Sequence, residues 1–121
     1  LITSWGGQTV TLLEGKWGAD KLELFKDLKP GSVILYVEND DICDAKKQLG
    51  DYQAVMGGLP ISLLKAGTKK ECIEHTMKVF DECAPGGGFI YTTDKSLLSS
   101  DDCNVDNLKA INEFAHVYGQ Y

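Results

Sequence analysis

Apolar stretches with the composition of β-strands alternate four times with stretches of helical periodicity along this 121-residue chain. β-Branched and other apolar residues concentrate in these stretches, which predicts four strands. The predicted strands are residues 8–14, Val33–Val37, 52–56 and Phe89–Thr93. The second of them is apolar throughout, which is typical of a sheet that is covered on both faces.

Side chains suited to helix N-termini precede four helical segments, and glycine or proline follows each segment. The N-terminal signals are Asp20 with Glu23, Asp40 or Asp41, Thr68 with Glu71, and Asn104. The C-terminal signals are Pro30, Gly50, Pro85 and Gly119. The segment after Thr68 carries an apolar stripe at helical spacing, formed by Ile73, Met77, Phe80 and Ala84.

Strands that alternate with helices through short connections predict parallel strands joined by right-handed crossovers. No linker or low-complexity tract divides the chain, so residues 1–121 are treated as one unit. A (β/α)8 barrel has eight such units over about 250 residues, and this sequence contains four. We therefore expect the carboxyl-terminal half of a barrel, whose two outer strands need the missing amino-terminal half, a second copy of the chain or an open-sheet arrangement.

Acidic residues outnumber basic ones, and the formal net charge is −6. This balance argues against nucleic-acid binding, which needs concentrated Lys and Arg. No apolar run approaches the ~20 residues of a membrane span. The chain begins at Leu1 without the pattern of a signal peptide, and we expect a cytoplasmic protein that is a piece of a longer one.

The four cysteines contain no Cys-x-x-Cys pair. Cys72 and Cys83 fall in one predicted helix at a separation of roughly 16 Å, which is too far for a disulfide. We expect reduced, buried thiols. Cys72 and His75 have the spacing of metal ligands on a helix, but two ligands alone do not make a site, and no metal is expected.

Polar residues follow three of the predicted strands, at the ends where chemistry collects in parallel β/α folds. Glu14, Glu38, Asp94 and Lys95 mark these ends. One interpretation is a shared site in which Lys95 binds a substrate carboxylate and Glu14 is a general base or metal ligand. The alternative is that all four are solvated loop residues.

Two further features have both a functional and a structural interpretation. Gly57 and Gly58 either allow a ligand to approach the backbone closely or only form a turn before Pro60. Trp17 and Tyr91 could line a flat apolar binding site, whereas core packing is favoured for Tyr91 because it lies within a predicted strand.

The order of motifs in the chain resembles the uroporphyrinogen decarboxylase superfamily. The segment 49–119 contains "GDYQAVMGG", "LLKAGT", "GGGFI" and a terminal "NLKA" helix, and "LLEGKWG" and "DLKPGSVILYVENDD" lie upstream. This resemblance implies a (β/α)8 barrel with its site at the carboxyl-terminal mouth. It also implies one of two activities: decarboxylation of a porphyrinogen without a cofactor, or methyl transfer from a corrinoid protein with zinc.

The sequence departs from both activity classes at particular positions. In the decarboxylases a histidine that contacts substrate follows the last strand, and Lys95 occupies that region here. The zinc ligands of the methyltransferases are replaced by Leu12, Glu14 and a residue near Lys95. The resemblance therefore favours a decarboxylase of porphyrin biosynthesis with catalytic Lys95, Asp94 and Glu14.

The remaining expectations follow from the same resemblance. Glu38, Gly57, Gly58 and Trp17 would bind a small-molecule substrate, a tetrapyrrole or a corrinoid-linked methyl donor, and no cofactor is expected. The family's substrate-binding arginines and a key aspartate lie in the other barrel half, so these 121 residues alone are predicted to be inactive. The alternatives are a methyltransferase relative with an altered or absent zinc site, and a non-catalytic binding or assembly module.

Overall fold

A computed structural model describes residues 1–120, which contain one four-stranded parallel sheet. The sheet order follows the sequence, so that each strand pairs with the strand that precedes it in the chain. The strands are β1 (Thr9–Leu13), β2 (Val33–Val37), β3 (Ala54–Leu59) and β4 (Phe89–Thr93). The predicted α/β class with four parallel strands is confirmed.

Within the described residues, five α-helices connect or follow the strands. They are α1 (Gly18–Leu22), α2 (Ile42–Leu49), α3 (Ile61–Ala66), α4 (Lys69–Cys83) and α5 (Val105–Tyr118). Short 3-10 helices lie at Thr3–Trp5, Glu23–Asp27 and Ser100–Asp102. As predicted, Asp41, Thr68 and Asn104 accept backbone N–H hydrogen bonds at the starts of α2, α4 and α5.

The main hydrophobic core lies between the helices and one face of the sheet. Leu13, Leu35 and Val55, from three adjacent strands, are fully buried there. The α2 and α4 side chains that pack in this core are Ile42, Cys43, Ala45, Leu49, Val79 and Cys83. When parallel strands follow one another in sheet order with right-handed crossovers, their helices all lie on the same side of the sheet.

The opposite face of the sheet is apolar and only partly covered in residues 1–120. On β1, Val10 is 59% exposed and Leu12 is 56% exposed. On β2, Ile34 and Tyr36 are partly exposed. Within residues 1–120 helices cover only one face of β2, and the other face, which the sequence also predicts to be covered, is partly exposed. We call the side of the sheet that carries Val10, Leu12, Ile34 and Tyr36 the open face.

The first helix differs from its prediction. It begins at Gly18 rather than Asp20, has no side-chain cap of its own, and becomes a 3-10 helix at Glu23. The backbone N–H groups of Trp17 and Gly18 instead donate to the two carboxylate oxygens of Asp40, each over 2.7 Å. The group that caps α1 is therefore the side chain of Asp40, which follows β2. Residue spacing within the α1 segment cannot reveal a capping group from another part of the chain.

The third strand is displaced toward the carboxyl end, and it includes Gly57 and Gly58, which the sequence assigned to its end or to a turn. Gly57 has φ +137°, and a Cβ added there would lie 2.8 Å from the Val37 carbonyl oxygen of β2. Glycine thus allows the backbones of β2 and β3 to approach closely. Helix α3, which the sequence did not predict, begins directly after this strand and Pro60.

Gln53 joins the amino end of the sheet to the first helical segment, and its side chain is almost fully buried. Its Oε1 accepts a hydrogen bond from the Val33 N–H over 3.1 Å. Its Nε2 donates to the carbonyl oxygens of Phe25, Leu28 and Lys29. One side chain therefore satisfies four backbone groups where the chain enters β2.

On α4 the predicted stripe is wrong by one residue. The buried positions are Cys72, Thr76, Val79 and Cys83, whereas Met77 is 38% exposed. The prediction followed the larger apolar residues. The helix instead turns smaller side chains toward the sheet, and the Thr76 hydroxyl bonds to the Cys72 carbonyl oxygen and the Tyr91 hydroxyl.

Candidate functional site

A cavity of about 390 Å³ lies at the carboxyl ends of the strands. Four of the predicted site residues line it together: Glu14, Glu38, Asp94 and Lys95. The same cavity is lined by residues that were not predicted as site residues: Leu12, Tyr36, Ile61, Ser96, Leu98 and Asp102. Since Leu12 and Tyr36 are paired residues of the open face, the cavity is continuous with that face.

Glu38 and Lys95 connect the end of β2 to the loop after β4 across the end of β3. The Lys95 Nζ lies 3.1 Å from Glu38 Oε1, and the Glu38 side chain is only 13% exposed. The other oxygen of Glu38 accepts a hydrogen bond from the Gly15 N–H, just after β1. One carboxylate therefore joins segments that follow three different strands.

These contacts shift both ionisation equilibria toward the charged forms. The Gly15 N–H and then the Lys95 ammonium lower the pKa of the Glu38 carboxyl below its ordinary value of 4.5. The hydrogen bond and the charge of Glu38 raise the pKa of Lys95 above 10.5, and the charges of Asp94 and Glu14 add to this effect. The pair is therefore ionised throughout the neutral range.

The pH dependence of stability follows from these directions. Because the folded-state pKa of Glu38 is lowered, its stabilising contribution is complete above 4.5 and is lost as the pH falls through the folded value. Because the folded-state pKa of Lys95 is raised, the stabilising contribution of Lys95 is complete below pH 10.5 and is lost as the pH rises through the folded-state pKa.

We expect Glu38→Gln to be less stable than the parent at neutral pH, with a difference that shrinks toward zero in acid below the Glu38 pKa. Urea unfolding of both proteins across this pH range measures the difference. Glu74→Gln is the matched control, since the Glu74–Lys70 contact is solvent-exposed at 3.7 Å and should contribute little at any pH. A stability difference that does not change with pH would contradict the role of the Glu38–Lys95 pair.

Asp94 has a structural contact as well as a place in the cavity wall. Its Oδ1 accepts a hydrogen bond from the Ile61 N–H at the start of α3, over 3.0 Å. Its own N–H donates to the Leu59 carbonyl oxygen over 2.8 Å, which continues the β3–β4 ladder. The position of this carboxylate is therefore fixed by both neighbouring elements.

Asp102 orders the loop at the rim of the cavity. Its Oδ2 accepts hydrogen bonds from the N–H groups of Leu98 and Ser99, over 2.7 and 2.8 Å, and these bonds lower the pKa of the carboxyl. Ser99 and Asp102 have the spacing of a capping box. That spacing could have identified Asp102 from the sequence, and the alternation of side chains along β2 could have identified Tyr36. The Tyr36 hydroxyl donates a hydrogen bond to the Thr93 carbonyl oxygen over 2.7 Å.

The structure does not bring the remaining predicted site residues into this cavity. Trp17 packs against Phe25 in the core, with ring centroids 5.6 Å apart. Gly57 lies within β3 against the β2 backbone. Gly58 lines an adjoining cavity of about 130 Å³ that shares Glu38 and Asp94 with the first one, and its carbonyl oxygen lies 2.7 Å from His75 Nε2.

The side chains of the cavity carry a predominantly negative charge. Of the residues that the structure describes, Glu14, Glu38, Asp94 and Asp102 contribute four carboxylates to its lining, against one ammonium from Lys95. All 12 basic residues of the chain are lysines, so no guanidinium from this chain binds a carboxylate here. Such a surface suits ligand groups that donate hydrogen bonds or carry positive charge.

No group of three or more His, Cys, Asp or Glu side chains in residues 1–120 is arranged to hold a metal ion. The Cys72 Sγ contacts the Leu63 carbonyl oxygen over 3.5 Å, and His75 contacts Gly58.

None of the helices described is both long enough and apolar enough to cross a membrane. No model of a known protein family matches this chain, and a search of curated proteins finds no match either.

Proposed function

We propose that these residues are the carboxyl-terminal half of a (β/α)8 barrel and that the protein is a uroporphyrinogen decarboxylase-like enzyme. The cavity at the carboxyl ends of the strands would then be half of the barrel mouth. The observation that carries the proposal is the meeting of Glu14, Glu38, Asp94 and Lys95 in one cavity, at the edge of a sheet whose order follows the sequence.

Three features of the sheet support a closed barrel. All the core helices lie on one face, and within residues 1–120 the outer edges of β1 and β4 have no strand partner. The strands are also staggered, as barrel closure requires. Thr93, the last residue of β4, pairs with Leu59. When the same residue pairing is continued through β2 to β1, the position level with Thr93 is Gly15, which lies beyond the last residue of β1.

Barrel closure also accounts for the open face. In a (β/α)8 barrel one side of every strand faces the surrounding helices and the other faces an interior filled by branched and large side chains. Val10, Leu12, Ile34 and Tyr36 have the composition of such an interior, although they are partly exposed in residues 1–120. Four further β/α units, the amino-terminal half of the same protein, would cover them.

The charges of the cavity suit one part of a porphyrinogen, its pyrrole rings. The pyrrole N–H groups of this substrate are hydrogen-bond donors, and the carboxylates of Glu14 and Asp94 are acceptors at the mouth. Protonation of a pyrrole ring produces a cation, which nearby carboxylates stabilise. Lys95 supplies a positive charge for an acetate carboxylate of the substrate, and the other half of the mouth would bind the remaining carboxylates.

The reaction then needs no cofactor. After a pyrrole carbon is protonated, the bond between an acetate methylene and its carboxylate breaks, and its electron pair neutralises the ring. Carbon dioxide leaves, and protonation of the methylene with loss of the ring proton gives a methyl group. In this scheme Glu38 is a positioning residue, because it holds Lys95 and the Gly15 backbone in place.

Turnover by the full-length protein tests this proposal. We expect the protein to remove the acetate carboxyls of uroporphyrinogen stepwise, with release of carbon dioxide and without added metal or cofactor. Chromatography of the porphyrin products under reducing, oxygen-free conditions measures the reaction. A folded full-length protein that leaves uroporphyrinogen unchanged would overturn the proposed activity.

A further inference from the structure

Two cysteine thiols from different helices are in contact inside the main core. Cys43 lies in the first turn of α2 and Cys83 is the last residue of α4, and both are buried. Their sulfur atoms are 3.4 Å apart. A disulfide has a sulfur–sulfur bond of about 2.05 Å, so the two atoms need to approach by only ~1.4 Å to form one.

We propose that Cys43 and Cys83 are a latent disulfide pair that cross-links α2 to α4 when the protein meets a small disulfide oxidant. This site does not depend on the proposed function. In the reaction, one cysteine thiolate attacks the oxidant and forms a mixed disulfide, with release of one thiol. The second cysteine then displaces the other thiol and closes the bond, so that two protein thiols are oxidised and one small disulfide is reduced to two thiols.

The surroundings of the pair make this reaction slow at neutral pH. Burial, and then the neighbouring Cys83, raise the pKa of the Cys43 thiol to about 12. Burial also raises the pKa of Cys83. The charged groups that act on the pair are Glu82 and Asp41, which disfavour the thiolates, and Lys46, which favours that of Cys83. Since the thiolate is the reactive form, the reduced state is protected while the core is closed.

The other two cysteines provide a contrast within the same chain. Cys72 is fully buried on α4, and its sulfur contacts a backbone carbonyl oxygen rather than the α2–α4 pair. Cys103 is partly exposed, in the segment between Asp102 and Asn104. Cys103 is therefore the expected site of simple mixed-disulfide formation, and it should be replaced by alanine before the buried pair is studied.

The test is oxidation of the Cys103→Ala protein with glutathione disulfide, followed by peptide mapping without reduction. We expect a Cys43–Cys83 cross-link that forms faster as the pH rises above neutral, by up to about tenfold per pH unit. We also expect the melting temperature to rise by roughly 5–15 °C, because the bond closes a long loop. Adding Cys43→Ala should abolish both effects, and adding Cys72→Ala should abolish neither.

Three results would overturn the proposal. In the first, Cys43 or Cys83 remains as a stable mixed disulfide with glutathione. In the second, Cys72 replaces one of them in the dominant cross-link. In the third, no cross-link forms at alkaline pH under conditions in which Cys103 of the unmodified protein reacts readily.

Discussion

If the protein has the proposed decarboxylase activity, replacement of Lys95 by methionine in the full-length protein is expected to lower kcat/KM for uroporphyrinogen by about 100-fold. Methionine keeps most of the length of the side chain and removes the only ammonium that lines the cavity among residues 1–120. The substrate carboxylate then loses its cationic partner, and the charge of Glu38 is left uncompensated. Steady-state kinetics of the variant and the parent measure the change.

Lys109→Met is the matched control, because Lys109 is an exposed lysine of α5 that does not line the cavity. It should leave kcat/KM within about twofold, as expected for a surface change away from the site. Melting temperatures of both variants separate a catalytic effect from a loss of folded protein. If Lys95→Met and Lys109→Met have the same activity, Lys95 has no part in the reaction.

Replacement of Leu12 by aspartate is expected to destabilise the full-length protein by about 3 kcal/mol or more. In residues 1–120 Leu12 is 56% exposed, and a charge there would be tolerated if the open face stayed open. In a closed barrel this position faces the interior, and a carboxylate there would lose its hydration and add to the four carboxylates that already line the adjoining cavity. Urea unfolding of the full-length protein measures the free-energy change.

Leu24→Asp is the control for this experiment, because Leu24 is 65% exposed on the 3-10 helix Glu23–Asp27. It should change the free energy of unfolding by about 0.5 kcal/mol or less. A milder substitution, Leu12→Ala, should lower the free energy of unfolding by about 2 kcal/mol if Leu12 is buried. This variant provides the test if the aspartate variant does not fold. Equal effects of Leu12→Asp and Leu24→Asp would show that the open face remains exposed.

The strands and their direction could be predicted because they depend on local composition and on the alternation with helices. The β-branched run of β2 and the spacing of the capping box at Thr68 are local signals, and the structure has both elements where the sequence put them. The boundaries of β3 depend instead on a contact between strands. Gly57 is a strand residue because it pairs with Tyr91 of β4, and glycine fits there because an added Cβ would lie 2.8 Å from the Val37 carbonyl oxygen.

The candidate site shows the same division between local and long-range information. Polar residues at strand ends were visible in the sequence, and parallel strands bring their carboxyl ends to one edge of the sheet. The Glu38–Lys95 ion pair depends on the stagger of β2 and β4, which no local pattern specifies. Trp17 was assigned to the site by its chemistry, but its segment turns back toward Phe25 and the core.

The most direct test of the half-barrel claim is an experimental structure of the full-length protein. We predict that β1 and β4 each pair through their outer edges with a further parallel strand, and that Val10 and Leu12 lie in a closed barrel interior. The carboxylates of Glu14 and Asp94 should then face groups from the other half across one mouth. An open sheet with helices on both faces, or an antiparallel neighbour beside β1 or β4, would contradict the account.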